Sequence, residues 1–130
     1  MSTEFEQISI NPGFMKHNGG VLFRNITENE YEFKSIINKN HLNAAGITHG
    51  GYLSALIDAG PGTAAHRSVH NAPCVTISLD IQFIGSSKIN DEINGKVRIL
   101  KKTKSLVFLF CELSCNGKII TSASVIWKIL

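Results

Sequence analysis

The residues best suited to chemistry surround the start of a predicted helix. An amide, an imidazole and two glycine amides precede or begin that segment: Asn43, His49, Gly50 and Gly51. Within it, Asp58 is the only acidic residue. Free N–H groups at a helix start can bind a polarised oxygen, and a carboxylate in apolar surroundings is a candidate base or nucleophile. This combination could support attack on a carbonyl carbon.

Each of these residues also has an ordinary structural role open to it. Asp58 could pair with His66 or Arg67, or lie on an exposed helix face. Asn43 and His49 could simply cap the helix and close the turn before it, and the two glycines could serve backbone conformation only. The residue types alone leave both interpretations open.

The elements that would position these residues follow from the hydrophobic pattern. Apolar and small residues recur at helical spacing from Gly51 onwards, and Pro61 should kink this helix or end it early because it removes the hydrogen bond to the carbonyl of Ile57. Extended segments rich in β-branched and aromatic residues are predicted over residues 20–25, 31–37, 75–84, 92–101, 105–114 and 118–128. Asn116-Gly117 is a strong hairpin signal between the last two.

One helix with these segments indicates an α+β domain whose antiparallel sheet has five to six strands. A single helix can cover only one face of such a sheet, and the last strand carries apolar residues on both sides. We therefore expect a homo-oligomer.

The composition limits the class of protein. With 43% hydrophobic and 18% charged residues, the 130 residues are typical of one globular domain over residues 1–130, of which about the first dozen form an N-terminal extension. No apolar run approaches the roughly 20 residues that cross a bilayer, and residues 1–10 lack a signal-peptide pattern. We expect a cytoplasmic protein with no membrane partner.

The charge also bears on possible partners. A net charge of +3 and the lack of a recognition motif argue against binding of nucleic acid.

The cysteines show no metal-ligand spacing. Cys111 and Cys115 would share one strand face at about 13 Å, which is too far for a disulfide. With Cys74, we expect reduced, buried thiols and no metal site.

The chain resembles a known family in one string of residues and in the strand after the helix: His41, Asn43, Gly46, His49-Gly50-Gly51, Asp58, Val75-Thr76-Ile77-Ser78-Leu79 and Phe83. These residues are similar to those of the hotdog-fold acyl-CoA thioesterases of the phenylacetate-pathway type, in the hydroxybenzoyl-CoA thioesterase superfamily. The resemblance runs from about Phe14 to Trp127. It implies a long central helix wrapped by the sheet, homodimers with active sites at their interface, and pairing of dimers into homotetramers.

The resemblance also implies a role for each residue of the string. The Gly50 N–H would bind the thioester carbonyl oxygen, while Asn43 would lie near that oxygen or hold the water, and His49 would orient the region. Asp58, from the opposite subunit, would act as nucleophile or general base. Thr76 would help to position the water, although it could be an ordinary strand residue. The reaction would be hydrolysis of an aryl or medium-chain acyl-CoA to the free acid and CoA.

No cofactor is implied beyond the coenzyme A (CoA) carried by the substrate. Its phosphates would bind near Gly51, Lys88 and Lys104, since lysines act on phosphate as point charges; a solvated turn is the other interpretation of the lysines. Four apolar residues would suit the acyl group: Phe14, Leu53, Ile57 and Phe83.

Three alternatives share the same fold. The chain could bind acyl-CoA without cleaving it, hydrolyse thioesters of acyl carrier protein instead, or dehydrate 3-hydroxyacyl thioesters. Thiol release separates the first from a thioesterase, and formation of an enoyl product would reveal the last.

Overall fold

Seven strands and two α-helices form within residues 3–130, the part of the chain that this computed structural model describes. The helices are α1 (Phe14–His17) and α2 (Gly50–Ser68), and a 3₁₀ turn covers Lys39–His41. The strands are β1 (Glu6–Gln7), β2 (Leu22–Asn25), β3 (Glu30–Ile36), β4 (Cys74–Phe83), β5 (Glu92–Lys102), β6 (Leu106–Cys115) and β7 (Lys118–Ile129).

All strands join one antiparallel sheet in the order β1-β2-β3-β5-β6-β7-β4. Buried residues alternate with exposed ones along β5 and with half-buried ones along β6, because one face of the sheet packs on α2 and the other faces outward. The centre of the core is fully buried and joins both layers: Phe23, Phe33, Leu56, Ile57 and Leu109. The predicted α+β class is confirmed.

The six predicted extended segments all form strands, with ends that differ by one or two residues. The prediction of five to six strands was too low, because β1 adds a seventh within the predicted N-terminal extension. This strand is anchored by pairing of Glu6 with Phe23 and of Gln7 with Leu22. Two residues are too short to show a period of two, so no sequence pattern marked it.

Helix α2 continues through Pro61 to Ser68, so the early end predicted at the proline is wrong. Glycines on both sides of Pro61 let aromatic rings lie directly on the helix. A Cβ at Gly60 would be 2.2 Å from Cε1 of Phe33, and one at Gly62 would be 2.3 Å from Cζ2 of Trp127. This close packing offsets the missing hydrogen bond, since most helical stability in proteins comes from tertiary contacts.

The edge strand β4 pairs only with β7 among the described residues and leaves apolar side chains exposed. Val75, Ile77 and Leu79 are 42%, 53% and 36% exposed. A long apolar edge of this kind can pair with another chain.

The cysteines are unpaired, as predicted, with Cys111 and Cys115 buried but Cys74 only half-buried. None of the helices in residues 3–130 combines the length and the apolar character that a membrane span requires.

Candidate active site

The start of α2 carries one free backbone donor. Nδ1 of His49 accepts a hydrogen bond from the Gly51 N–H at 2.7 Å, so His49 caps the helix and occupies that donor. CoA bound near Gly51, as the resemblance implies, could use the Gly51 N–H only by displacing this cap. The Gly50 N–H makes no hydrogen bond within the described part of the chain. It is therefore available to a ligand oxygen at the positive end of the helix.

Asn43 holds the loop that precedes the helix. Its Oδ1 accepts hydrogen bonds from the N–H groups of Ala45 at 2.9 Å and Ile47 at 3.3 Å, and its own N–H donates to the Ile47 carbonyl. The side-chain oxygen is thus committed to the turn. The amide NH₂ is the part of Asn43 that can meet a substrate or water.

His41 connects this loop to earlier parts of the chain by hydrogen bonds. Its Nδ1 accepts from the Asn38 N–H at 3.0 Å, and its Nε2 lies 2.6 Å from the Asn18 carbonyl, to which it donates. The ring is buried and stacks on Tyr52 with 3.6 Å between centroids. Burial raises the pKa of Tyr52, whose hydroxyl bonds to Ser35 at 2.6 Å. His41 therefore stabilises the loop and does not line the candidate site.

Asp58 forms a second cluster, with Thr76 of β4. The Thr76 hydroxyl donates to Oδ1 of Asp58 at 2.5 Å, and both side chains are half-buried. Arg67 instead binds Glu6 at 2.6 Å and Asn25 at 3.0 Å, so the interpretation of Asp58 as a partner of Arg67 is wrong. The carboxylate keeps its second oxygen for other contacts.

The two clusters do not meet within one protomer. Gly50 and Asp58 lie eight residues apart on α2, which is about 12 Å along the axis. Asn43 and His49 lie with Gly50, while Thr76 lies with Asp58. One thioester carbonyl therefore cannot contact both clusters of the same chain.

Asp58 opens into a cavity of about 790 Å³. It lies between the two edges of the sheet, since Glu6 and Gln7 of β1 line one side and Cys74 of β4 lines the other. Helix α2 forms the floor, and Trp127 lies beside it. The wrapped sheet thus leaves a gap over the helix at the candidate carboxylate.

The residues predicted to bind the acyl group lie elsewhere. Leu53 and Ile57 are 3% and 0% exposed and belong to the core. Phe14 is exposed outside the cavity lining, and Phe83 lies next to Gly50, where an added Cβ would be 3.5 Å from the ring. The prediction was wrong for Leu53 and Ile57 because helical spacing marks the buried face of α2 and not a pocket.

The predicted phosphate-binding lysines are far apart. Lys88 lies near the start of α2, where the carbonyl of the preceding Ser87 accepts from Thr48. Lys104 lies in the β5–β6 hairpin near the other end, where Lys102 donates to the Ser68 carbonyl at 2.9 Å. The 19 residues of α2 span about 28 Å. Lys88 and Lys104 of one protomer therefore form no common phosphate site.

The sequence predictions missed most of the cavity lining. Ile8 and Ile10 come from the segment interpreted as an extension, Met15 follows it, and Trp127 was interpreted only as a strand residue. Alternation along β7 could have placed Trp127 on the same face as its pairing partner Thr76. Nothing in the periodicity marked the N-terminal segment.

Comparison with known proteins gives consistent matches. A model of the thioesterase superfamily matches residues 45–119. The "putative esterase" of Pseudomonas aeruginosa is 31% identical over 94 residues, covering 72% of this chain and 70% of that protein. Acyl-coenzyme A thioesterase 13 of Mus musculus is 31% identical over 86 residues, covering 65% of this chain and 61% of that protein.

Solved structures share the fold. Zebrafish thioesterase superfamily member 2 superposes with a TM-score of 0.84 at 24% identity, covering 94% of this chain and 90% of that one. A mutant of the phenylacetic acid degradation protein PaaI of Thermus thermophilus gives 0.80 at 18% identity, covering 89% and 97%. The predicted hotdog fold is confirmed.

Proposed function

Because the chain belongs to the thioesterase superfamily, we propose that it hydrolyses acyl-CoA thioesters to the free acid and CoA. The observation that carries the proposal is the Asp58 carboxylate, bonded to Thr76 and open to a cavity large enough for an acyl group. The match to a protein named for acyl-CoA hydrolysis favours CoA over acyl carrier protein.

The chemistry needs an oxyanion donor and a base. The free Gly50 N–H would bind the carbonyl oxygen, and one such donor lowers the barrier by about 2.7–4 kcal/mol. Asp58 would take the proton of an attacking water, which contributes roughly 10²- to 10⁴-fold. The new C–O bond forms, the C–S bond breaks, and the thiolate recovers the proton. Direct attack by Asp58, followed by hydrolysis of the anhydride, uses the same groups.

We further propose that two protomers share each site. The 12 Å estimated between Gly50 and Asp58 of one chain is too long for one carbonyl, and the apolar β4 edge offers a surface for pairing with a second copy. Asp58 and Thr76 of one protomer would then face Asn43, His49 and Gly50 of its partner. On the outer face of the sheet, half-buried Phe108, Phe110 and Ile126 would let dimers pair into a tetramer.

Coenzyme A would extend from this interface towards basic residues of both chains, which allows Lys88 of one protomer and Lys104 of the other to approach one nucleotide. A cytoplasmic location is also proposed, in keeping with three unpaired thiols.

The first experiment measures thiol release from aryl, short, medium and long acyl-CoA esters. Asp58→Asn keeps the shape of the side chain and should lower turnover at least about a hundredfold. Glu28→Gln, a matched change of an exposed carboxylate in the β2–β3 turn, should leave turnover unchanged. Wild-type-like turnover of Asp58→Asn would refute the assigned role, and binding of esters without thiol release would favour the non-catalytic alternative.

A second experiment tests the shared site by complementation. Gly50→Pro removes the N–H at a helix position that favours proline, the added ring meets Phe83 only at an ordinary contact distance of 3.5 Å from Cβ, and extended His49 is compatible with a following proline. Gly50→Pro and Asp58→Asn should each be inactive. Refolded together in equal amounts, they should regain about a quarter of wild-type activity, because half the dimers carry one intact site. No recovery despite mixed dimers would contradict a site built from two chains.

A further inference from the structure

A segment of the N-terminal chain, residues 9–16, which we term the strap, crosses one side of the Asp58 cavity. It is held at both ends. The Ile8 N–H donates to the Val21 carbonyl at 3.1 Å, and the Gly20 N–H donates to the Met15 carbonyl at 2.7 Å. Within the strap, Nζ of Lys16 donates to the Ile10 carbonyl at 3.2 Å. The strap is therefore a fixed wall of the cavity.

Apolar groups face the cavity from this wall and from the floor. Ile10 and Met15 contribute from the strap, and Ile8 lies just before it. Opposite them, Gly62 lacks a side chain, and the Trp127 ring lies against it one helical turn after Asp58. An apolar lining thus begins beside the candidate carboxylate.

The side chain of Ile10 does not contribute to the hydrophobic core. It is 67% exposed, whereas Ile8 and Met15 pack partly against the core. Together with Ile8, Met15 and Trp127 it borders one cavity, and sites for small ligands are lined mostly by apolar side chains. The cavity volume of about 790 Å³ lies within the usual range for small-molecule sites.

We infer that the strap and Trp127 bind the acyl group of the substrate, and that Ile10 sets which aryl or medium-chain groups are accepted. This inference rests on the proposed hydrolysis, in which the thioester carbon lies at Asp58. The acyl group then runs from Asp58 past Gly62, between Trp127 and Ile10. Specificity for the acyl group is thereby set by a segment outside the string of residues that carries the chemistry.

The test uses the single tryptophan of the chain as a reporter, since Trp127 lines the cavity. The probes are CoA thioethers carrying benzyl, hexyl or decyl groups, which have no carbonyl to cleave, with free CoA as reference. Trp127 fluorescence should change with the thioethers and not with free CoA. Ile10→Ala should weaken binding of at least one thioether about fivefold or more and alter the order of preference.

Ile36→Ala is the matched control, because Ile36 is 61% exposed on β3 and lies outside the cavity lining. It should bind every probe as the wild type does. Equal behaviour of Ile10→Ala and Ile36→Ala, or calorimetric binding of a thioether without any change in Trp127 fluorescence, would overturn the inference. Failure of every thioether to bind would overturn it too.

Turnover measured beside binding separates this inference from the proposed function. A wild type that binds thioethers with the Trp127 response but releases no thiol would refute hydrolysis and support the acyl site. A wild type that hydrolyses acyl-CoA, with the same order of substrates in Ile10→Ala, would support hydrolysis and refute the role of the strap.

Discussion

Replacing Thr76 with valine tests how far the Asp58 carboxylate depends on its neighbour. The two side chains have nearly the same shape and are both β-branched, so β4 should keep its conformation. The change removes one group, the hydroxyl that donates to Oδ1 of Asp58 at 2.5 Å. The effect on catalysis should therefore exceed the effect on stability.

The magnitude follows from the kind of hydrogen bond. A bond to a charged group contributes about 1.5–3 kcal/mol, which corresponds to roughly 10- to 150-fold if it acts only in the transition state. Thr76 and Asp58 are half-buried, so water can replace part of the lost bond. We therefore expect kcat/KM to fall about tenfold, less than for Asp58→Asn, because the carboxylate itself remains.

The assay is steady-state thiol release with the best acyl-CoA of the panel, together with thermal unfolding of each variant. Thr76→Ser retains the hydroxyl and should keep kcat/KM within about threefold of the wild type. Unchanged activity of Thr76→Val would refute the argument. Equal losses in the valine and serine variants would also refute it, since they would trace to the shape of β4 and not to the hydrogen bond.

Three further predictions concern stability and assembly. Gly60→Ala should lower the free energy of unfolding by about 1–3 kcal/mol in spite of better helix propensity, because the new Cβ would be 2.2 Å from buried Phe33; an unchanged urea midpoint would contradict this. Burial raises the pKa of Cys111 above its ordinary 9.0, so the folded state retains a proton that the unfolded state releases. Stability should therefore fall as pH rises above about 9, and Cys111→Ala should flatten that slope in urea titrations. Ile77→Lys should charge the β4 edge and yield monomers without hydrolysis in sedimentation and activity assays; active monomers would contradict the shared site.

Much of the fold could be predicted from local patterns. Each of the six predicted strands shows alternation or β-branched composition over at least four residues, and the helix shows its own spacing, so local patterns suffice for them. β1 and α1 are too short for any period; β1 is held by pairing with β2, and α1 contacts the core through Met15. Of the two outcomes predicted at Pro61, a kink or an early end, the early end is wrong for a related reason. The rings of Phe33 and Trp127 that hold the helix there come from strands distant in sequence.

The candidate site was predictable in part. Residue types and spacing single out Asn43, His49, Gly50 and Asp58, because helix starts and lone carboxylates have recognisable chemistry. The hydrogen bond between Asp58 and Thr76 joins a helix to a strand, and spacing along the chain cannot show it. The capping of Gly51 by His49 is local, and the capping alternative for His49 anticipated it.

The Gly60-Pro61-Gly62 stretch affects both the stability of α2 and the shape of the candidate active site. Two glycines let α2 lie close to the sheet, and this closeness brings Asp58 within 2.5 Å of Thr76 on the strand beside Trp127. The same absence of a side chain at Gly62 places the Trp127 ring along the cavity floor. A side chain there would have to move that ring, so it would alter both the packing of the helix and the space offered to an acyl group. Thus the contacts that keep α2 intact through a proline also shape the space beside the carboxylate.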